Sequence, residues 1–372
     1  MPLTARGIFI LVNFNLIILH MKQIHQKLLS EKNSEGLLVI EATTSATKDF
    51  LKNYIQENKA PLQQLLTKHG ALLFRNFDIQ SAQDFEDISH EIDDELKNNY
   101  LGTSPRNSIT KYTFSASELP HFYPIPQHCE MSFLKFPPRK LFFYCHVAPA
   151  VNGETPVCDF RKVYAQLDNE VKTAFEKKGV KTIRNYDGPN AKAKFDLWKL
   201  KRWDEVFNTT DKSKVEATCN EYEIAFEWLE NDKLRLFNEQ DAFIKHPVTG
   251  EGVWFNHTQV FHRDAAAIEY SHIAKRQKTL SASFYSALTS FLTFTKKISV
   301  PTLSLGTHSV FKDGSEIPTS YVEHLQQTIW NNMQFFPWQK GDVLAIDNFS
   351  TSHGRMPYKG PREIYVCWAA NH

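Results

Sequence analysis

Four apolar runs constrain this chain most, because they stand far apart and two of them close it. GALLFRNFDI (70–79) and LFFYCHVA (141–148) lie in the first half, GDVLAID (341–347) and REIYVCWA (362–369) at the very end. Short runs rich in Leu, Val, Ile and Phe, bounded by glycine or turn residues, read as buried strands. Strands that flank a long helix-patterned middle must pair with one another across it. The expectation is an α+β chain, a β-sandwich core with decorating helices. A length of 372 residues allows two domains, but β-rich domains often run long as one unit. A single domain over 35–372 is therefore expected, with residues 1–34 as an N-terminal extension.

Between the strands the pattern is mostly helical. GLLVI (36–40) reads as a short strand, and Ala46 to His69 as a helix that ends at Gly70. Ser81 to Leu96 reads as a second helix with Ser81 as its cap. Residues 98–127 carry several prolines and turn residues and read as one long irregular loop, the kind that serves as a lid or binding loop. Residues 160–220 are charged and helix-like, an insert in the strand framework. WLENDKLRLF (228–237) reads as a hairpin turning at Asn231-Asp232, HPVTGEGVWFN (246–256) adds a strand after Gly250, and 264–296 is helix-rich.

The balance of 43 basic against 42 acidic residues leaves a net charge of +1 with no like-charge block. Neither nucleic acid nor a stable membrane association is implied, and the expected partner is a small molecule. The five cysteines are scattered and form no CxxC, which reads as reduced, buried thiols in a cytoplasmic protein. The apolar segment Ile8–Leu19 is too short to span a bilayer and lacks a small-residue cleavage site after it. The oligomeric state is not legible at this stage.

HCEMSF (128–133) places a histidine and a carboxylate two residues apart, and on a strand such side chains share a face. The spacing alone decides nothing, because chance gives a chain of this composition about two such pairs. There are two, His128/Glu130 and His262/Asp264. The second reads more simply as Asp264 opening a helix with His262 packed beneath it. For the first, His353 in the turn TSHGR supplies a third donor and completes a two-histidine, one-carboxylate set. Arg362 opens an otherwise apolar inward face with Ile364, Val366 and Trp368, a place suited to gripping a carboxylate bidentately.

HCEMSF, PPRKLFFYC, NGETP (152–156), HPVTGEGVWFN, KDGSEIP (312–318), GDVLAIDN and HGRMPYKGPR occur in that order. Together they resemble the taurine dioxygenase/clavaminate synthase-like family of Fe(II)- and 2-oxoglutarate-dependent oxygenases, over residues 35–372. The resemblance implies a double-stranded β-helix, or jelly-roll, core. It implies that His128, Glu130 and His353 ligate Fe(II), and that Thr155 and Arg362 bind 2-oxoglutarate. It implies consumption of O2, release of succinate and CO2, and hydroxylation of a C–H bond in a small amino-acid-like or carboxylate-bearing substrate. Asn152 stands where the family often has glycine, and Glu130 where many members have aspartate, as in the clavaminate synthase branch.

Three residues are candidates for the substrate itself. Arg106, in the long loop, and Arg355, after His353, could meet a substrate carboxylate; the competing readings are a solvated loop arginine and a charge on the turn. Asn256 lies in a segment that resembles one near the family's active site. Two other functional readings stay open, a catalytically silent binding module and a zinc hydrolase using the same three ligands.

Overall fold

The computed structural model describes residues 23–30, 36–98, 100, 106–117, 119–191 and 201–370. The apolar segment 8–19 lies outside them. No helix among the described residues is long and apolar enough to cross a membrane.

All four apolar runs pair in one eight-stranded sheet. Its order is Ile24–Leu28, Leu38–Thr47, Ala71–Asp78, Val343–Asp347, Lys140–Val147, Glu363–Ala369 and Leu96–Lys97, with Phe114–Ser115 also against Glu363–Ala369. Neighbours run antiparallel except Leu38–Thr47 and Ala71–Asp78, which are parallel and joined by helices. Residues 24–28, assigned from sequence to the extension, instead form the sheet's edge strand.

Both faces of this sheet are covered, which explains why its strands read as unbroken apolar runs. Phe74, Phe142, Tyr144, Val343 and Ala345 pack with Leu51, Leu66 and Phe85 from the helices Lys48–Glu57, Lys59–His69 and Ala82–Ile92. Their strand neighbours Leu73, Leu141, Phe143, Leu344 and Ile346 point the other way, with Ile364, Val366 and Trp368, onto Val157, Phe336 and Trp338. Val157 belongs to a three-stranded sheet, Ile125–His128, Thr351–Arg355 and Val157–Asp159, with Thr351–Arg355 in the middle. The inner face of the large sheet and this small sheet enclose the candidate site.

Several local expectations hold. Ser81 caps its helix in a capping box with Asp84, and Gly70 ends its helix at φ 72°. The strands Ala225–Leu229 and Lys233–Gln240 pair as a hairpin through Asn231 and Asp232, both at positive φ.

Others are corrected. The helix expected over 46–69 is a strand to Thr47 and then two helices, broken at Asn58. Pro61 accounts for the break, since it has no amide to donate and its ring clashes with the carbonyl four residues back. The insert expected to be helical over 160–220 contains the strand Val180–Tyr186, inside a second, four-stranded sheet. Its interior carries a buried arginine, Arg184, bonded to Asn238 and Tyr186, so the apolar alternation that marks a strand is missing. TSHGR, expected as a turn, is the strand Thr351–Arg355 itself.

Candidate active site

The small sheet assembles the metal-type donors. His353 on the central strand is the register partner of His128 at the end of Ile125–His128, and their ring centroids are 4.4 Å apart. Gly354 permits this pairing, because a Cβ there would lie 2.6 Å from the Ile125 carbonyl. The strand stops at His128, so Glu130 sits on a turn rather than on the strand, with Met131 after it at φ 52°. Asn348 fixes that turn, its Oδ1 accepting from the Glu130 amide at 2.7 Å and its Nδ2 donating to the Glu130 and Pro138 carbonyls. Asn348 was not singled out in the sequence, although it directly follows the strand run GDVLAID.

One donor atom from each of His128, Glu130 and His353 lies within 4.8 Å of the others, and His353 Nε2 is 3.7 Å from Glu130 Oε2. His128 donates from Nδ1 to the Pro126 carbonyl at 2.9 Å, leaving the Nε2 lone pair free. Burial pushes His128 below the usual histidine value and His353 well below it, so both imidazoles are neutral and able to donate. Burial alone would raise the Glu130 carboxyl, but Arg106, His128 and His257 outweigh it and hold it below its ordinary value. Two neutral imidazoles and one carboxylate in a buried cluster fit an Fe(II) ion that keeps open coordination positions.

Thr155 and Arg362 meet beside this cluster. Val157 is the register partner of His353, and Thr155 lies two residues along from it. Arg362 Nε donates to the Gly153 carbonyl at 2.9 Å and an Nη donates to Thr155 Oγ1 at 3.1 Å. Trp338 Nε1 also donates to Thr155 Oγ1 at 3.1 Å. Both lone pairs of the threonine oxygen are therefore engaged, and its own proton is left to donate outward. Trp338 is a second residue missed in the sequence; nothing in PWQKGD distinguishes it from a core tryptophan. Burial and then the nearby Arg355 push the Arg362 guanidinium down to about 9. Among the described residues no carboxylate pairs with it.

The three substrate candidates separate. Asn256 does not face the site: it donates to the Ala242 carbonyl, accepts from the Thr258 amide and is fully buried. Its neighbour His257 is the one beside the donors, 5.5 Å from the His128 ring and hydrogen-bonded to Ser132 Oγ at 2.8 Å. Arg355 is neither a substrate contact nor a surface charge. It is buried, and its fork donates to the carbonyls of Leu119, Pro120 and Tyr123, fastening the loop that leads into the His128 strand. Arg106 is no solvated loop residue either. Its side chain is 6% exposed, pairs with Glu130 at 2.7 Å and lies over the Tyr100 ring at 4.3 Å, while Tyr100 Oη donates to the other Glu130 oxygen. Arg106 Nε and Nη1 are buried with no partner among the described residues.

The rival pair belongs to a second cluster, His262, His308 and Glu316. There every ring nitrogen is already engaged. His262 accepts from the Asp264 amide and donates to the Ile317 carbonyl, while His308 accepts from the Arg263 amide and donates to Glu316. Asp264 stands at the N-cap of the helix Ala265–Gln277 and receives Lys297 and Thr319. This is a satisfied polar lock between segments.

A jelly-roll-like pair of sheets around a buried two-histidine, one-carboxylate cluster, with an unpaired arginine beside it, defines the class of metal-dependent oxygenases that use a dicarboxylate cosubstrate. The family model described as taurine catabolism dioxygenase TauD, TfdA family matches residues 36–368, and the chain belongs to that family. It is 31% identical to the dapdiamide synthesis protein DdaC of Enterobacter agglomerans, over 88% of this chain and 89% of that one. It is 28% identical to a clavaminate synthase-like protein of Arabidopsis thaliana, over 83% and 84%. Among solved structures it shares the fold of a taurine dioxygenase from Burkholderia xenovorans (TM-score 0.52, 13% identity, 94% of this chain and 90% of that one). It also shares that of PvcB of Pseudomonas aeruginosa (TM-score 0.51, 12% identity, 94% and 92%). The protein is thus an Fe(II)- and 2-oxoglutarate-dependent oxygenase that uses O2 and acts on a small molecule.

Proposed function

We propose that His128, Glu130 and His353 hold the iron, that Arg362 and Thr155 bind the far carboxylate of 2-oxoglutarate, and that the enzyme hydroxylates a small amino-acid-like or carboxylate-bearing substrate. The observation that carries this reading is the unpaired Arg362. A guanidinium held in a dry site without a counter-ion is costly, and a bound carboxylate removes that cost. The arginine and the free proton of Thr155 offer that carboxylate adjacent donors, the geometry of bidentate capture. A silent binding module has no need of this arrangement, and a zinc hydrolase has no use for a dicarboxylate receptor beside its water.

When bound, iron and 2-oxoglutarate supply the oxidising equivalent that takes hydrogen from a substrate C–H. The chain's own residues do the rest. The Pro126 carbonyl fixes the tautomer of His128, Asn348 sets the Glu130 turn, and Trp338 aims the Thr155 proton. Arg355 ties down the loop before the His128 strand, which helps exclude water from the site. The two unpaired donors of Arg106 are the receptor for a substrate carboxylate. The relative named for dapdiamide synthesis supports a substrate from small-molecule biosynthesis, and the free-thiol interior, with all five cysteines buried and unpaired, supports a cytoplasmic setting.

Anaerobic addition of 2-oxoglutarate to the iron form is expected to give a weak visible charge-transfer band. Its absence from an iron-loaded sample would sink the reading. In Arg362→Met the KM for 2-oxoglutarate should rise at least ~10-fold, the loss of about 1.4 kcal/mol from a charge-assisted pair, while anaerobic iron binding is unchanged. An unaltered KM would mean that the far carboxylate is held elsewhere.

A further inference from the structure

We propose that the helix Leu280–Ser299 is the interface of a twofold-symmetric dimer of this chain, with the two copies of the helix packed antiparallel. Of its 20 residues only Ala282 and Thr289 are fully buried. Leu280 is 93% exposed, Phe284 61%, Phe291 and Phe294 62% each, and Ile298 73%. With Ala287 between them these residues recur every three or four positions, which on a helix of 3.6 residues per turn places them in one narrow stripe. No charged residue interrupts the stretch from Leu280 to Thr295. A stripe of this kind on an isolated subunit gains nothing from water and marks a contact surface.

The stripe's own sequence identifies the occupant. Read from either end it presents the same series of sizes: Leu280 answers Ile298, Phe284 answers Phe294, and Ala287 answers Phe291. Each pair is centred on the same level of the helix, that of Thr289. Two copies laid antiparallel therefore match aliphatic with aliphatic at the ends and ring with ring further in. At the centre the small alanine receives a phenylalanine. That is the self-complementarity an isologous contact requires, because residue i meets j and j meets i.

At the fractions exposed, three phenylalanines and two aliphatic residues leave roughly 600 Å² per copy, close to the ~800 Å² that each partner buries in a stable interface. A bilayer surface fits less well. The helix's only cations, Lys296 and Lys297, sit together at one end, and Lys297 is tied to Asp264, so no basic border runs along the stripe. On the helix's inner side Tyr285 stacks on Phe122 at 5.3 Å, in the loop that Arg355 holds. Dimerisation at the stripe thus braces the segment leading into the His128 strand.

Sedimentation velocity of the full chain at micromolar concentration should show twice the 43.0 kDa chain mass. Phe284→Glu and Phe291→Glu should each return it to one, with iron binding unchanged because both side chains lie outside the site. The double variant Phe284→Cys, Phe294→Cys should cross-link into dimers on oxidation, the native cysteines all being buried. Phe284→Cys alone should not. A single-mass species at every concentration overturns the proposal, as does a dimer that survives both glutamate variants. Cross-linking by Phe284→Cys alone overturns the antiparallel register. A monomer that floats with phospholipid vesicles and loses them in Phe284→Glu would assign the stripe to a membrane surface instead.

Discussion

His353→Ala is expected to abolish iron-dependent succinate formation and to weaken anaerobic iron binding by more than ~100-fold, beyond what loss of a mere supporting contact costs. The chain should stay folded, because the side chain removed bonds to no other described residue through its buried Nδ1. The lost packing is confined to the rings of His128 and Phe143, with centroids at 4.4 and 4.9 Å. His262→Ala is the matching control from the second histidine cluster. There the Asp264 amide and the Ile317 carbonyl lose a buried partner each, which should cost roughly 2–4 kcal/mol of stability and leave iron affinity unaltered. Reversed outcomes, with iron held by the His353 variant and lost from the His262 variant, would exchange the roles of the two clusters. Anaerobic iron titration and thermal unfolding on the same samples decide it.

The contrast shows what the sequence could and could not carry. His128, Glu130 and His353 were legible because their chemistry is local: a two-residue spacing, and one further histidine beside a terminal strand. Their convergence needed the register that sets His353 against His128, and no periodicity encodes register between strands more than 200 positions apart. The large sheet was legible for a related reason. With both faces covered, nearly every position in its strands must be apolar, and such runs stand out. Val180–Tyr186 was not, because its interior position 184 is an arginine whose charge is neutralised by contacts invisible in one dimension. Arg355 and Asn256 were read as candidates for the pocket because polar residues near a site usually face it. Both instead satisfy backbone groups, a role that depends on which carbonyls and amides the fold leaves unpaired.

Arg106 is where that reasoning has its largest measurable consequence. Read from sequence, it was a loop residue whose removal should leave the metal site untouched. With its guanidinium buried against the Glu130 carboxylate, Arg106→Ala instead strands a buried negative charge, and breaking such a pair costs about 3–5 kcal/mol. The metal-free variant should therefore unfold at distinctly lower temperature than the metal-free parent. A divalent ion supplies to Glu130 the positive charge that Arg106 provided, so Mn(II) or anaerobic Fe(II) should recover most of the loss. Metal-induced stabilisation is then larger in Arg106→Ala than in the parent, following the linkage between a ligand and the folded state it binds. Arg106→Lys keeps a charge but not the fork and should fall between the two. Substrate turnover in Arg106→Ala should drop at least ~10-fold even when the metal site is filled, since the two unpaired donors are gone. Equal metal-free stability in variant and parent would mean that Glu130 does not depend on Arg106. Full turnover with restored stability would confine Arg106 to holding Glu130 and place the substrate carboxylate elsewhere.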